Sequence, residues 1–109
     1  MAGKFVCSKS SDGQDFFVLK ASNGQTILQS ERYKSAKSCA NGIESVRKNS
    51  QDPARFECKT AKDGRTFFVL KASNGQAIGK SQMYKSDSGC KNGMASVAKH
   101  APTAVVVEA

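Results

Sequence analysis

The chain has 109 residues, of which 39% are hydrophobic and 24% charged, and it carries a formal net charge of +8 with a pI near 9.5. That composition is ordinary for one modest globular domain, and no stretch approaches the roughly 18 apolar residues of a membrane-spanning helix. The N-terminal MAGKFVCSKSSDG has neither the apolar run nor the small-residue cleavage pattern of an export signal, so the expectation is a cytoplasmic protein without membrane contact.

Phe5-Val6-Cys7 is a short apolar run that suits a first strand, and Asp12-Gly13 follows as a turn signal. Phe16 to Ala21 is strongly β-prone. It leads into Ser22-Asn23-Gly24-Gln25, where Asn-Gly between apolar runs predicts a tight hairpin with a type I′ turn. Thr26, Ile27 and Leu28 continue as a third strand. Ser35 then reads as a helix N-cap, and Cys39, Ile43 and Val46 recur at i, i+4 and i+7 as one helical stripe. Gly42 lies inside this helix, where glycine costs about 1 kcal/mol relative to alanine. The stripe continues across it, so an uninterrupted helix is expected, with the glycine admitting close packing on the sheet. The polar segment from Asn49 to Ala54 has the length of an ordinary loop.

The remainder repeats this pattern at an offset of 51 residues, without a gap. FFVLKASNGQ at Phe16–Gln25 recurs unchanged at Phe67–Gln76. Phe5, Cys7, Ser30, Tyr33-Lys34-Ser35 and Cys39 are matched by Phe56, Cys58, Ser81, Tyr84-Lys85-Ser86 and Cys90. Gly42 is matched by Gly93, and the second helix carries Cys90, Met94 and Val97 on its stripe. More than half of the aligned pairs are identical, which marks an internal duplication. The expected fold class is α+β: two tandem β-β-β-α units over residues 4–49 and 55–100, each an antiparallel three-stranded meander with one helix. The tail over residues 101–109, with Val105-Val106-Val107, is a candidate edge strand.

Phe17 and Leu19 point to one face of the second strand, Phe16 and Val18 to the other. One helix covers only one face. The expectation is therefore that the units pack about a pseudo-twofold axis as a single domain, a monomer containing its own pseudo-dimer, with Phe16, Val18, Phe67 and Val69 in a shared core.

The four cysteines, Cys7, Cys39, Cys58 and Cys90, are spaced by 32, 19 and 32 residues. No C-x-x-C pair or histidine cluster accompanies them, so no metal site is expected. Without an export signal disulfides are not expected either, and the cysteines read as small buried hydrophobes. His100 is the sole histidine and reads as a solvated residue at a helix end. There is no nucleophile elbow and no phosphate-binding glycine loop. No catalytic residue or cofactor is assigned, and an enzyme is the least favoured reading. A non-enzymatic binding or structural module with a protein partner is compatible with all of these features. The alternative is nucleic-acid binding, for which positive charge and surface aromatics are the physical basis. Its candidate residues are Lys20 and Lys71 beside the paired phenylalanines, and Tyr33 and Tyr84, followed by Lys34 and Lys85, although the favoured reading of the two tyrosines is packing over the helix starts.

Taken together, F-x-L-K-A-S-N-G-Q over Phe17 to Gln25, then Ile27, Ser30, Tyr33 to Ser35 and C-x-N-G-I-x-S-V-x-K-N over Cys39 to Asn49, resemble the YegP-like family of small bacterial proteins, a domain of unknown function. The second copy, Phe68 to His100, extends the resemblance over nearly the whole chain. It implies one or two β-β-β-α units and brings no activity, cofactor or catalytic residue. Gly89, Met94 and Ser50 to Pro53 depart from the pattern, all at or within the helices and their exits.

Overall fold

The computed structural model describes residues 3–108. The elements in chain order are β1 (Lys4–Lys9), β2 (Asp15–Lys20), β3 (Thr26–Ser30), α1 (Ala36–Asn49), β4 (Phe56–Thr60), β5 (Thr66–Lys71), β6 (Ala77–Lys80), α2 (Asp87–His100) and β7 (Val105–Glu108). A short 3-10 turn follows each helix, at Pro53–Arg55 and Ala101–Thr103. The tail thus supplies a strand, while Ala109 lies outside the described residues.

All strands join one seven-stranded sheet in the order β4-β5-β6-β3-β2-β1-β7. The two meanders are joined edge to edge by antiparallel pairing of β3 with β6, in which Gln29 faces Lys80 and Ser30 faces Gly79. β7 adds in parallel to the outer edge of β1.

The hairpin turns share one chemistry, and it differs from the type I′ expectation. Gly24 alone takes positive φ, at 85°, while Asn23 does not. Gly24 N–H donates to the Ala21 carbonyl and Ala21 N–H to the Gln25 carbonyl, both at 2.9 Å, and the Asn23 side-chain oxygen accepts from Gln25 N–H at 3.0 Å. This is a type I turn closed by one left-handed glycine. The extra residue shifts the register between Leu19 and Lys20, and the resulting bulge turns both Ile27 and Leu28 into the core.

Both helices run uninterrupted for 14 residues. Ser35 Oγ accepts from Ser38 N–H and Ser86 Oγ from Gly89 N–H, each at 3.1 Å, so Gly89 does not disturb the second helix start. Register places Phe5, Leu19, Leu28, Ser30, Gly79 and Leu70 on one face of the sheet, together with Phe17 and Phe68. Both helices cover that face. α1 also reaches β5 and β6, and α2 reaches β3, so the two meanders share one core.

This overturns the expected role of Phe16, Val18, Phe67 and Val69. They lie on the face away from both helices. Strand alternation shows two apolar faces but not what covers each. Edge pairing of β3 with β6 satisfies main-chain hydrogen bonds that face-to-face packing would leave open.

At the junction, Leu28 and Gly79 occupy equivalent repeat positions. A Cβ at Gly79 would come within 2.9 Å of Leu28 Cγ and Cδ2. One leucine fills the space that two would contest.

Ser30 and Ser81 explain their own repetition. Phe17 N–H donates to Ser30 Oγ at 2.9 Å, and that hydroxyl donates to the Glu31 carbonyl at 2.7 Å. Phe68, Ser81 and Gln82 repeat the arrangement at 2.9 and 2.8 Å. The hydroxyl replaces a ladder hydrogen bond at a buried position. Ser30→Ala is expected to cost about 1–2 kcal/mol in a urea melt, because it orphans the Phe17 N–H. A loss under a few tenths would refute that role.

His100 differs from expectation. It is buried, and Nδ1–H donates to the Ser96 carbonyl at 2.8 Å. Asn49, its repeat counterpart, donates from Nδ2 to the Ser45 carbonyl at the same 2.8 Å. The two side chains perform one task, capping a carbonyl one turn back. His100→Asn is accordingly expected to shift stability by less than about 0.5 kcal/mol, whereas His100→Ala loses about 1 kcal/mol or more. Paired thermal melts separate the two outcomes.

Candidate binding face

Among the described residues, no helix covers the second face of the sheet. One row of side chains crosses all seven strands there: Glu57, Val69, Lys80, Gln29, Val18, Val6 and Val107. Phe16 and Phe67 stand beside the row, half-buried, opposite Ser8 and Lys59. Lys80 Nζ sits 4.9 Å from the Phe67 ring centroid, a cation–π contact. Where β3 meets β6 the surface sinks into a polar groove of about 640 Å³, whose walls include Gln29, Glu31, Arg32, Lys80 and Gln82.

The charges on this face are unevenly matched. Glu57 accepts from Lys71 Nζ at 3.1 Å and lies 3.4 Å from Lys59 Nζ. Those contacts, the Lys71 hydrogen bond first, hold its carboxyl below the ordinary carboxylate range. Lys4 and Lys20 stand directly opposite each other on β1 and β2. Among the described residues, neither they nor Lys80 forms an ion pair. The face is an apolar strip, Val69 buried, Val6 and Val18 half-buried and Val107 exposed, with a cationic fringe.

Of the residues singled out in the sequence, Lys20 and Lys71 lie on this face. Tyr33 and Tyr84 do not. Tyr33 stacks on Phe17 with centroids 6.3 Å apart and planes 5° from parallel, and Tyr84 stacks on Phe68 at 6.3 Å and 10°. Each tyrosine packs against a helix glycine, and burial pushes both phenols up from their ordinary pKa. Lys34 and Lys85 are exposed at the helix starts, on the connection to Ser35 and Ser86. The lysine–tyrosine grouping is therefore split between the two sides of the sheet. Lys80 and Gln29 were not singled out. Their signal was their position, one residue before the repeated Ser30 and Ser81.

All four cysteines are free. Cys39 and Cys90 are buried, as their helical stripe required, and Cys7 is half-buried, but Cys58 is exposed on the sheet's edge strand. Burial, reinforced by Cys7, pushes the Cys39 thiol up to about 12, and burial with the neighbouring Cys58 pushes Cys90 to about 11. Neither supplies a thiolate at neutral pH. Among the described residues, no group of three His, Cys, Asp or Glu side chains could hold a metal ion.

These features define a small α+β protein, a duplicated sheet with helices on one side and an open face on the other. The family described as "Domain of unknown function (DUF1508)" matches twice, at residues 10–57 and 61–108. Those units begin at equivalent residues, Ser10 and Ala61, which open the turns before β2 and β5, so they are a phase-shifted statement of the same 51-residue period. The UPF0339 protein YegP of Escherichia coli is 56% identical over 97 residues, spanning 89% of this chain and 88% of the relative. A UPF0339 protein of Pseudomonas aeruginosa is 51% identical over 104 residues, 95% and 94% of the two chains. The solution NMR structure of the E. coli YegP protein, described as of unknown function, superposes with a TM-score of 0.94 at 51% identity, covering 99% of this chain and 93% of that one. A UPF0339 protein structure from Shewanella oneidensis gives 0.92 at 45% identity, covering 99% and 92%. The chain belongs to the YegP-like UPF0339 family.

Proposed function

We propose that the protein is a non-enzymatic binding module whose helix-free sheet face is the working surface. In this reading residues 4–49 and 55–100 are halves of one domain, a covalently fused pseudo-dimer about an axis through the β3–β6 junction. The register supports the symmetry, because Gln29 pairs with Lys80, its own repeat counterpart. The observation that carries the function is the row across the helix-free face of the sheet, three consecutive valines at one end and the Gln29–Lys80 pair at the junction of the halves. Exposed apolar strips rimmed by polar groups mark interaction surfaces. The non-enzymatic reading is supported by the high thiol pKa values of Cys39 and Cys90 and by the buried, carbonyl-bound His100.

The test is a pair of variants on the open face, Val18→Glu and Lys80→Glu, with thermal melts as a fold control. Proteins captured by the wild type from a bacterial extract should be lost with both variants, while the melts stay nearly unchanged. Retained capture with both would sink the assignment of the face.

One observation favours a nucleic-acid ligand as a second reading. Lys4, Lys20 and Lys80 are without ion-pair partners among the described residues on the face that also carries Phe16 and Phe67. Labelled single- and double-stranded RNA and DNA, titrated across a salt series, decide it. Phosphate-driven affinity is strongest at low salt, so no binding near about 50 mM salt eliminates this reading.

A further inference from the structure

The Sγ atoms of Cys58 and Cys90 lie 3.3 Å apart, joining β4 to α2. Cys58 is exposed, and Cys90 is fully buried. Cys7 and Cys39 hold the equivalent positions in the first half, but their surroundings differ. β7 lies along the outer edge of β1, beside Cys7, whereas among the described residues β4 ends the sheet and no strand lies outside Cys58. The same thiol pair has been placed twice, and the outer cysteine of the second copy is exposed where that of the first is half-buried.

We propose that Cys58 and Cys90 form a peroxide-reactive pair that closes reversibly to an intramolecular disulfide, Cys58 meeting the oxidant and Cys90 resolving it. The Cys58 thiolate attacks one oxygen of hydrogen peroxide. The O–O bond breaks, the released hydroxide takes a proton to become water, and Cys58 becomes a sulfenic acid. The Cys90 sulfur then attacks the Cys58 sulfur and loses its proton, the S–O bond breaks, and a second water leaves. Two thiols and one peroxide yield one disulfide and two waters, the sulfurs oxidised and the peroxide oxygens reduced. The division of roles follows from burial. A reagent reaches Cys58 first, and Cys90 is held in contact behind it with its thiol protonated. Closure needs the sulfurs to approach by little more than an ångström. The product ties the sheet's unprotected edge strand to the helix layer.

The reduced protein is exposed to sub-millimolar hydrogen peroxide, thiols are trapped by alkylation at intervals, and intact mass and non-reduced peptide maps are read. The expected result is loss of two hydrogens with a peptide linking Cys58 to Cys90, formed before any Cys7–Cys39 link. The thermal midpoint should rise on oxidation and return on treatment with a dithiol. Cys58→Ser should abolish the link, and Cys7→Ser combined with Cys39→Ser should leave its rate unchanged. Cys58 recovered as a sulfinic acid or in an intermolecular disulfide, or the Cys7–Cys39 link appearing first, would overturn the proposal.

Discussion

Leu28→Ala should lower stability by about 2–5 kcal/mol, a large share of the roughly 5–15 kcal/mol that holds an ordinary domain together. Leu28 is fully buried at the junction of the two halves. Its counterpart across that junction is Gly79, which has no side chain to move into the vacated space, so the cavity cannot collapse from the other side. The reverse defect, Gly79→Ala, places a Cβ within 2.9 Å of two Leu28 side-chain carbons and overpacks the site, at a cost of about 1–3 kcal/mol. Combining Leu28→Ala with Gly79→Leu moves the leucine across the junction and should recover most of the loss. Urea denaturation of wild type, Leu28→Ala, Gly79→Leu and their combination forms a double-mutant cycle. A combined variant no more stable than Leu28→Ala would show that the two positions do not share one space.

Gly42→Ala sets two effects against each other, and packing should win. Helix propensity alone favours alanine by about 1 kcal/mol. Yet a Cβ at Gly42 would lie 2.7 Å from Tyr33 Cζ and 3.1 Å from Phe17 Cε2, and closer still to the Tyr33 hydroxyl. Gly93 repeats this against Tyr84 Cζ at 2.7 Å and Phe68 Cε2 at 3.0 Å. Overpacking of this kind costs about 1–3 kcal/mol, so each single variant is destabilised and the double variant loses about twice as much. Tyr33→Phe removes the oxygen nearest the new methyl and should rescue Gly42→Ala in part. A Gly42→Ala variant more stable than wild type in thermal melts would show that the tyrosine yields freely.

The same two glycines show what was legible in the sequence. Their place inside unbroken helices followed from the apolar stripe that continues past them, and close packing on the sheet was the expected reason. What they pack against was hidden. Tyr33 precedes Gly42 by nine positions, in a connection whose path no local pattern sets. Read locally, Tyr33 and Tyr84 were loop tyrosines packing over the helix starts, with exposed aromatics for a ligand as the alternative. In the fold they are plugs seated in glycine sockets. Strand identities, turn positions and helix caps were legible because each rests on neighbouring residues. The partner of a strand edge is a long-range choice. Nothing local to β3 or β6 says that they meet, so the face bearing Phe16 and Val18 was assigned to a shared core. Lys20 and Lys71 were singled out only as neighbours of the paired phenylalanines, and the register puts them on the helix-free face. Lys80 emerged only once the halves were joined.

The strand that closes the sheet has a further consequence. Each helix leads through a short 3-10 turn into a strand: α1 into β4, which pairs antiparallel with β5, and α2 into β7. By repeat equivalence β7 should pair with β2, but β1 already occupies that edge. β7 runs parallel to β1, and β1 antiparallel to β2, so β7 already has the direction needed to take β1's place. It stands one strand spacing, about 4.8 Å, too far out. The N-terminal strand is thus an occupant of a berth that the C-terminal strand also fits. A chain cut back to begin at Ser10 should slide β7 inward and close as a six-stranded sheet. Val106, which now pairs with Phe5, would then take its place, and the smaller side chain would leave that sheet less stable. Backbone NMR of the shortened chain, read for contacts between β7 and β2, would reveal the exchange directly.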